Sequence, residues 1–467
     1  MIPDKTNIIV GPPGTGKTYQ LLKILEQELK THEPNEIAYV SFTREGAYQG
    51  RDRALEKFNY SEDDFPYFRT LHSIAFRELN MKPSRIIKHD HFKIFGKALN
   101  MNIKGYYDYN LAENDDMYLF YINLYRNNKK CARQIVDKIN TQTLLWVEKN
   151  YEELKNYYGV MDFTDLIIEF NKRNKTLPVK VAIIDEAQDL TTLQWQMINI
   201  AFRDCEKIYI AGDDDQAIYE WSGADVEYFI NLKGNIKLLD KSYRLPRDIL
   251  NLAKNISSKI KNRIVKDFEP SEHEGNVYPI NDLYEIIIKP GETYLFLSRN
   301  NMFLNDFKTL LIRRGVNFAY QNKSFVNKEH VTAINTYVRL QKGQKCDTQA
   351  RNLLNKYTHL HTDMSRMKEI EWYNALKIPQ EKMIYYRDLL KNKIDVTKCL
   401  INVNTIHSVK GAEADNVILY LNVTRSVYKN IQMNPDSEHR VFYVGATRAK
   451  KNLYILLPTK EYYYNIL

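Results

Sequence analysis

The chain has 467 residues, of which 44% are hydrophobic and 27% are charged, and its net charge of +9 permits a polyanionic partner without identifying one. This length exceeds what one hydrophobic core normally fills, so we expect about two to four domains. The four cysteines form no CxxC pair, no apolar run is as long as a membrane span and no signal pattern opens the chain, so we expect a soluble, cytoplasmic protein without a metal cluster.

The first predicted element is a strand at 7–10, followed by the segment GPPGTGKT and then by a helix. The leucines of that helix recur at the spacing of one buried face. Further short apolar runs, each followed by a polar loop, are predicted to be strands: 37–41, 181–184, 208–211, 294–297, 417–421 and 453–457. Near-continuous apolar runs that alternate with helices are typical of parallel strands covered on both faces, so we predict an α/β fold.

Two stretches interrupt this pattern. Between residues 83 and 177 the strand-like runs disappear and polar, Tyr-rich, helix-compatible segments replace them. A shorter charged stretch, 343–398, has the same character. We therefore predict a helical domain inserted in the first half of the chain and a smaller helical insertion in the second half.

A phosphate-binding loop is predicted between the first strand and the first helix. The residues that fit G-x-x-x-x-G-K-[ST] and would bind the nucleotide are Gly11, Pro12, Gly14, Thr15, Gly16, Lys17 and Thr18. The glycines let backbone N–H groups turn inward around a phosphate, and the helix N-terminus favours negative charge. We expect Lys17 to contact the β- and γ-phosphate oxygens and the Thr18 hydroxyl to bind Mg²⁺.

A second strand ends in two acids, Asp185 and Glu186. Four apolar residues followed by an acid are typical of the metal-binding strand of a P-loop NTPase, where Asp185 would hold Mg²⁺ and Glu186 would deprotonate the attacking water. Taken alone, these acids could equally form a solvated turn. Together with Lys17 and Thr18, they favour the catalytic interpretation.

The sequence GDDDQAIYEWSGAD, residues 212–225, follows another buried strand. Its acids and amide suit a metal-bound phosphate, whereas Tyr219 and Trp221 suit flat rings such as bases. One loop that serves both would connect phosphate chemistry to base stacking. The alternative for Trp221 is an ordinary core aromatic.

Several segments resemble, in the same order, the motifs of the superfamily 1 helicases of the UvrD/PcrA/Rep type. They are SFTREGA (41–47), TLHS (70–73), DFTDL (162–166), IDEAQD (184–189), GDDDQAIYEWSGAD (212–225), LDKSYR (239–244), TIHSVKGAE (405–413) and YVGATRA (443–449). The resemblance extends over most of the chain, and the segment 212–225 is its most specific part. It implies two RecA-like lobes with ATP and Mg²⁺ in the cleft between them.

The resemblance also assigns roles around the nucleotide. Gln216 would sense the γ-phosphate, and Tyr243 would stack on the adenine. Arg244 and Arg448, both placed on the second lobe, would act as arginine fingers, because a planar permanent cation suits the charge of the transferring phosphoryl group. Glu413 would bind the ribose.

On the nucleic-acid side, the resemblance implies contacts with single-stranded DNA. The residues concerned are Phe42, Thr43, Thr70, His72, Tyr219, Trp221, His407 and Lys410. His407 and Lys410 could alternatively be solvated loop charges. The expected partners are single-stranded DNA and junctions of single and double strands.

Two of the departures of this sequence from the family bear on strand separation. The second insertion is much shorter than that of UvrD-like enzymes, and the segment PTKEYYYNIL stands where the family continues with a strand-separating hairpin. Tyr462 to Tyr464 could be a remnant of that hairpin, although a docked tail is the preferred interpretation. We therefore expect translocation to be better supported than duplex unwinding.

The domain prediction follows from these motifs. It comprises a first RecA-like lobe (1–82 and 178–240), a helical insertion (83–177), a second RecA-like lobe (241–342 and 399–467) and a reduced insertion (343–398). The predicted function is an ATP-dependent single-stranded DNA translocase or helicase, 3′→5′ by analogy. The alternatives are a nucleotide-gated DNA clamp and, less compatible with Tyr219 and Trp221, a small-molecule kinase.

Overall fold

The computed structural model describes residues 6–42, 44–58, 60–105, 115–132, 135, 138–359, 368–392, 394–396 and 398–466. Contacts divide the chain into a first unit (Met1–Arg244, Ser257–Glu272, Asp436–Arg440) and a second unit (Leu245–Ile256, His273–Pro435, Val441–Leu467). Each unit contains one sheet built mainly of parallel strands and covered by helices. This architecture confirms the predicted α/β fold with two parallel-sheet lobes and helical insertions.

The first unit is built on a six-stranded sheet in which every strand pairing is parallel. Its strands are β1 (Thr6–Val10), β2 (Ile37–Ser41), β3 (Phe68–Arg69), β4 (Val181–Asp185), β5 (Lys207–Gly212) and β6 (Asn235–Leu238), in the spatial order β3-β2-β4-β5-β1-β6. Its helices are α1 (Lys17–Glu28), α2 (Arg44–Lys57), α3 (Leu71–Glu78), α4 (His89–Leu99), α5 (Asp116–Asn127), α6 (Thr141–Tyr158), α7 (Phe163–Arg173), α8 (Thr192–Ala201) and α9 (Val226–Ile230).

Burial explains which strands of this sheet the sequence predicts. Strands β2 and β4 are buried at every residue, as expected for interior parallel strands. Their continuous apolar runs made them predictable from the sequence. Strand β6 lies at the edge of the sheet and is exposed throughout, so its sequence NIKL carries no continuous apolar run. The predicted strands of this sheet are therefore confirmed, and the exposed edge strand β6 was missed because it has no apolar run.

The regular elements that the structure describes between residues 83 and 177 are all helices, joined by loops. Helices α4 to α6 enclose a small core of their own, which includes Phe92, Phe95 and Tyr151. Helix α7 differs, because Leu166, Ile167 and Phe170 belong to the same apolar core as strands β1, β2 and β4. The last helix of the predicted insertion is thus part of the lobe itself.

A buried ion cluster joins helices α5 and α6 to the start of α7. The Arg126 guanidinium donates to Asp162 at 2.7 Å and also to Asp165, and the Lys155 ammonium donates to Asp165 at 2.8 Å. Asp162 caps helix α7 by accepting from the backbone N–H of Asp165. Burial opposes the charged form of Asp162, but the attraction of Arg126 and then of Lys155 outweighs it, so the pKa of this carboxyl is lowered.

The second unit contains a seven-stranded sheet in the spatial order β10-β9-β11-β8-β12-β13-β7. Its strands are β7 (Asn276–Ile280), β8 (Tyr294–Ser298), β9 (Ala319–Tyr320), β10 (Lys323–Ser324), β11 (Ile401–Thr405), β12 (Ala414–Tyr420) and β13 (Ala449–Leu456). Its helices are α11 (Leu304–Arg313), α12 (Lys328–Gln341), α13 (Thr348–Tyr357), α14 (Trp372–Ala375), α15 (Gln380–Lys391) and α16 (Arg425–Met433), while α10 (Arg247–Ser258) and α17 (Pro435–Ala446) each contribute residues to both units.

For two strands of this sheet that were not predicted, β7 and β11, the sequence shows why they were missed. Strand β7 is an edge strand and contains Pro279, which a central strand would not tolerate because proline lacks a backbone N–H. Strand β11 reads INVNT, so its asparagines break the apolar run although it lies between β8 and β9. The predicted insertion at 343–398 is helical in its described part, in helices α13 to α15.

The segment after β13 packs onto the second unit. Tyr464 and Ile466 are buried, and the Tyr464 ring stacks on Phe442 with ring centroids 3.9 Å apart and an interplanar angle of 4°. The backbone N–H of Tyr464 donates to the Leu421 carbonyl. The docked tail is therefore confirmed over the alternative of a projecting remnant. Across the described helices, none has both the length and the apolarity needed to cross a bilayer.

The buried ion cluster generates a stability prediction. Replacing Arg126 by Ala leaves two carboxylates with little solvent and one cation, so we expect a loss of about 3–5 kcal/mol in the free energy of unfolding. Urea unfolding monitored by circular dichroism measures this loss. In the control variant Lys149→Ala, which breaks only an exposed pair with Glu153, we expect a change within about 0.5 kcal/mol. Equal effects of the two substitutions would contradict the assignment.

Candidate nucleotide and nucleic-acid site

The loop between β1 and α1 has the backbone that a phosphate-binding loop requires. Gly14 and Gly16 adopt positive φ angles of 73° and 79°, which glycine reaches without steric cost. The Thr15 hydroxyl donates to the Pro12 carbonyl at 2.8 Å, and the Lys17 ammonium donates to the Gly11 carbonyl at 2.6 Å. Lys17 begins helix α1, so its side chain lies across the loop at the positive end of the helix.

Residues 242–244 pack directly on this loop. The Ser242 hydroxyl donates to the Pro13 carbonyl at 2.8 Å, and the backbone N–H of Tyr243 donates to the Gly14 carbonyl at 2.8 Å. The Tyr243 side chain is 71% exposed beside the loop. Arg244 belongs to the first unit, whereas the sequence analysis assigned it to the second lobe, because these contacts hold the whole segment on the P-loop.

Strand β4 ends in the buried carboxylate of Asp185. Its oxygens accept from the Tyr39 hydroxyl at 3.1 Å and from the backbone N–H of Glu186 at 2.9 Å. Burial, together with repulsion from Glu186, raises the pKa of Asp185 to about 6 against the opposing attraction of Lys17. A buried carboxylate beside a second carboxylate favours a cation, and the oxygens of Asp185 and Thr18 are donors that Mg²⁺ prefers.

Gln188 holds two parts of this site together, and the sequence analysis gave it no role. Its side-chain N–H donates to the Glu186 carboxylate, and its carbonyl accepts from the backbone N–H of Asp213 at 3.0 Å. Glu186 itself has a positive φ of 52°, which is uncommon for a residue with a side chain. Gln188 stands within the motif IDEAQD, but only the fold shows that its side chain reaches Asp213, the residue after strand β5.

The order of the strands places residues 213–221, here called the shared loop, beside the nucleotide site. Strand β5 pairs with β4 on one side and with β1 on the other. The residues that follow β5 therefore lie between the P-loop, which follows β1, and Asp185, which ends β4. Gln216 is buried there, and its side-chain N–H donates to the Asp213 carboxylate at 2.7 Å.

The three acids of the shared loop are paired with basic side chains inside the protein. The Lys266 ammonium lies 3.0 Å from the carboxylates of both Asp213 and Asp215 and also contacts Asp214. Arg263 donates from Nε to Asp215 at 2.8 Å. Burial raises the pKa of Asp214 to about 6, against the attraction of Lys266 and with added repulsion from its neighbours. These acids were associated with a metal-bound phosphate from the sequence, whereas the structure pairs them with protein cations.

The other end of the shared loop carries its aromatic residues. The Tyr219 ring stacks on Phe42 with ring centroids 5.4 Å apart, and Trp221 stacks on Phe120 of helix α5 at 6.3 Å. Trp221 is only partly buried, at the edge of the apolar cluster formed by helix α5 and its neighbours. Trp221 therefore has the partial exposure expected of a base-contacting residue and also the apolar contacts expected of a core aromatic.

A groove of about 720 Å³ opens beside Tyr219 in the first unit. Its lining combines aromatic, polar and basic side chains, among them Phe42, Arg69, Thr70, His72, Lys88 and Phe163. The structure thus brings together three of the predicted nucleic-acid residues, while Thr43 lies outside the residues that it describes. Thr70 has a structural role as well, because its hydroxyl accepts from the Ser73 N–H and caps helix α3.

Phe163 was not among the predicted contacts. It is the first residue of helix α7, its ring is half exposed, and it lies edge-on to His72 with ring centroids 6.0 Å apart. The buried ion cluster at Asp162 and Asp165 fixes the turn from which Phe163 projects. The segment DFTDL showed the residue, but only the packing of α7 against α3 shows that it faces the groove.

The remaining predicted residues lie in the second unit. Arg448 is buried, and its guanidinium donates to the backbone carbonyls of Val444 at 3.0 Å and Ala412 at 3.4 Å. Glu413 is exposed and pairs with Lys450 at 3.6 Å. Burial, aided by Arg299 and Lys410, lowers the pKa of His407 well below its usual value, so its ring is neutral at physiological pH.

Within the described ranges, no group of three or more His, Cys, Asp or Glu side chains is arranged to hold a metal ion. The Mg²⁺-binding role assigned to Asp185 and Thr18 from the sequence stays a prediction.

Two family models match the chain. The UvrD/REP helicase N-terminal domain covers residues 1–237, and the UvrD-like helicase C-terminal domain covers residues 400–456. The first match contains the P-loop, Asp185 and the shared loop. The second contains His407, Lys410 and Arg448.

Relatives of known name have low identity over long alignments. The ATP-dependent DNA helicase Rep of Buchnera aphidicola subsp. Acyrthosiphon pisum is 23% identical over 86% of this chain and 68% of that protein. Rep of Buchnera aphidicola subsp. Baizongia pistaciae is 22% identical over 71% and 55%, respectively. The probable DNA helicase II homolog of Mycoplasma pneumoniae is 23% identical over 96% and 81%. The chain thus spans between about half and four fifths of these relatives.

Solved structures similar to this chain include Arterivirus nonstructural protein 10 (helicase), with a TM-score of 0.38 and 11% identity over 98% of this chain and 60% of that one. The PRRSV helicase gives a TM-score of 0.37 and 11% identity over 98% and 53%. Likeness at this level is too distant to bear on the fold or the site.

The packing of the P-loop generates a prediction for Gly14→Ala. A Cβ at Gly14 would lie 2.3 Å from the Cβ of Arg244 and 3.0 Å from its backbone nitrogen, in addition to the strain of a positive φ. We expect a loss of about 2–4 kcal/mol in the free energy of unfolding, measured with urea. Gly291→Ala is the control, because it has a similar φ and open space, and should lose only about 1 kcal/mol. Equal losses would show that residues 242–244 do not pack on the loop.

Proposed function

The chain belongs to the UvrD/REP helicase family, and from that premise we propose that it is an ATP-driven motor on single-stranded DNA. One observation carries the proposal: residues 213–221 run from Gln216, beside the predicted nucleotide site, to Tyr219, whose ring stacks on Phe42 in the lining of the groove. A change in the nucleotide that moves one end of this short loop can also move the other end. Hydrolysis can therefore alter the grip on a bound strand.

We assign the hydrolytic roles as follows. Lys17 and the P-loop N–H groups bind the phosphates, and Thr18 and Asp185 hold Mg²⁺, which stabilises the charge on the phosphates when it is bound. Glu186, oriented by Gln188, accepts a proton from the attacking water. Arg244 and Arg448 supply permanent positive charge to the transferring phosphoryl group.

The nucleoside is assigned to exposed side chains. Tyr243 presents its ring beside the P-loop, which suits stacking on the adenine. Glu413, an exposed carboxylate of the second unit, is assigned to the ribose hydroxyls.

The single strand is assigned to the groove of the first unit. Phe42, His72 and Phe163 offer ring faces and edges to the bases, and Arg69 and Lys88 offer positive charge to the phosphates. Stacking on side chains tolerates any base, so binding should depend weakly on sequence and strongly on salt. His407 and Lys410 of the second unit are assigned to the same strand, with Tyr219 and Trp221 moving against it.

The finer proposal is translocation in the 3′→5′ direction, with junctions of single and double strands as the sites of action. Translocation needs only the shared loop and two binding surfaces. Strand separation needs an additional wedge, whereas the described residues after β13, Tyr464 among them, pack onto the second unit. A nucleotide-gated clamp is the competing function, and it differs from a motor in not advancing.

Displacement of a block distinguishes a motor from a clamp. Streptavidin bound to the 5′ or the 3′ end of a biotinylated oligonucleotide is released only when the protein advances toward that end. We expect faster release from the 5′ end with ATP and Mg²⁺. Lys17→Ala, the control, should abolish release and hydrolysis while it retains strand binding, because the groove lies elsewhere in the first unit. ATP hydrolysis without release from either end would favour the clamp.

The groove assignment predicts the effect of Phe42→Ala. Loss of a stacking ring should weaken binding of a labelled oligothymidylate by about 1–3 kcal/mol, measured by fluorescence anisotropy. Tyr157→Ala is the control, because Tyr157 is 83% exposed on helix α6 and does not line the groove. An unchanged affinity in Phe42→Ala, or an equal loss in Tyr157→Ala, would place the strand elsewhere.

A further inference from the structure

Arg440 is a buried cation whose bonds converge on the shared loop. It lies in helix α17, is 2% exposed and belongs to the first unit. Its guanidinium donates from Nε to the Asp214 carbonyl at 2.9 Å, and its two terminal nitrogens donate to the Glu220 carboxylate at 3.0 Å and to the Asn262 carbonyl at 2.6 Å. Each of its three nitrogens thus has a partner, which offsets the cost of burying the charge.

Two of these partners lie at opposite ends of the shared loop. Asp214 precedes Gln216 by two residues, and its carbonyl also accepts from the Ala217 N–H at 3.2 Å. Glu220 stands between the two aromatic residues, Tyr219 and Trp221. One planar side chain therefore connects the part of the loop at the nucleotide with the part at the groove.

The charges around the loop show why the planar shape of the Arg440 guanidinium matters more than its positive charge alone. The carboxylates of Asp213 to Asp215 are already paired with Lys266 and Arg263, and Arg440 uses the Asp214 backbone rather than its carboxylate. Burial raises the pKa of Glu220, and Arg440 opposes that shift. A lysine at this position would keep the positive charge, but it could not reach three acceptors from one rigid plane.

We propose that Arg440 is a positioning residue that makes residues 213–221 move as one body, so that a nucleotide at the P-loop changes the affinity of the groove for single-stranded nucleic acid. The inference rests on the proposed function and names the contact that transmits it. A loop held only at its ends by Gln188 and the Trp221 stack could deform in the middle. The guanidinium removes that freedom by fixing the distance between Asp214 and Glu220.

The competing role is simple anchoring of helix α17, and the chain supplies a matched control for it. The Asp436 carboxylate accepts from the backbone N–H groups of Lys261 at 3.1 Å and Asn262 at 3.0 Å. This contact ties the same helix to the same segment as Arg440 does, but it is not to the shared loop. Loss of anchoring alone should therefore affect Asp436 and Arg440 variants alike.

The test measures coupling between the two ligands in the full chain. The dissociation constant of a labelled oligothymidylate is determined with and without a non-hydrolysable ATP analogue and Mg²⁺, and the ratio is the coupling factor. We expect the wild-type factor to differ from one by at least about fivefold. In Arg440→Lys and in Glu220→Ala it should fall to within about twofold of one, whereas Asp436→Ala, which removes the acceptor of the anchoring contact, should keep the wild-type value.

Each outcome decides the inference. If Arg440→Lys does not fold, as judged by its unfolding temperature, Glu220→Ala carries the test, because it removes the same contact from the less buried side. Retained coupling in Glu220→Ala, or an equal loss in Asp436→Ala, overturns the positioning role and leaves the proposed function intact. A wild-type factor of one, without acceleration of hydrolysis by DNA, would overturn the proposed function as well.

Discussion

Three consecutive buried carboxylates, Asp213 to Asp215, impose the constraint on which the rest of the site depends. Left unpaired, they would be strongly destabilising, because burial penalises each charge and the charges repel one another. Lys266 contacts all three, and Arg263 adds a second cation at Asp215. The backbone after β5 is therefore fixed at the carboxyl ends of the parallel strands, between the P-loop and Asp185. A segment about fifty residues further along the chain thereby determines where the side-chain amide of Gln216 lies, the group to which we assign the sensing of the nucleotide.

This arrangement also explains how one short loop can serve two kinds of ligand. Its first residues are polar, buried and bonded to Gln188 and Lys266, so they have little freedom. Its last residues are aromatic, partly exposed and stacked on Phe42 and on Phe120 of the helical insertion. Rigidity at one end and accessible rings at the other are what a mechanical link between phosphate and base requires. The insertion is thus part of the site as well as an addition to the lobe.

The sequence predicts the parts of the fold that have a local pattern. Buried parallel strands such as β4 are recognisable as apolar runs, and the P-loop is recognisable from the fixed spacing of its glycines, Lys17 and Thr18. Exposed or polar strands, β6 and β11, have no such run and were missed. For the site, the motif residues were predicted, but their partners Lys266 and Arg440 were not. No local pattern marks a cation whose acceptors lie tens or hundreds of residues away, so only the folded chain reveals it.

The central claim is that nucleotide hydrolysis and strand binding are linked through the first unit, and steady-state ATP hydrolysis tests it most directly. The rate is measured for the wild-type chain at saturating ATP and Mg²⁺ while the concentration of an oligothymidylate is increased. The account predicts a saturable acceleration of at least about tenfold, equivalent to about 1.4 kcal/mol in the activation barrier. The same rate with and without the oligonucleotide would contradict it.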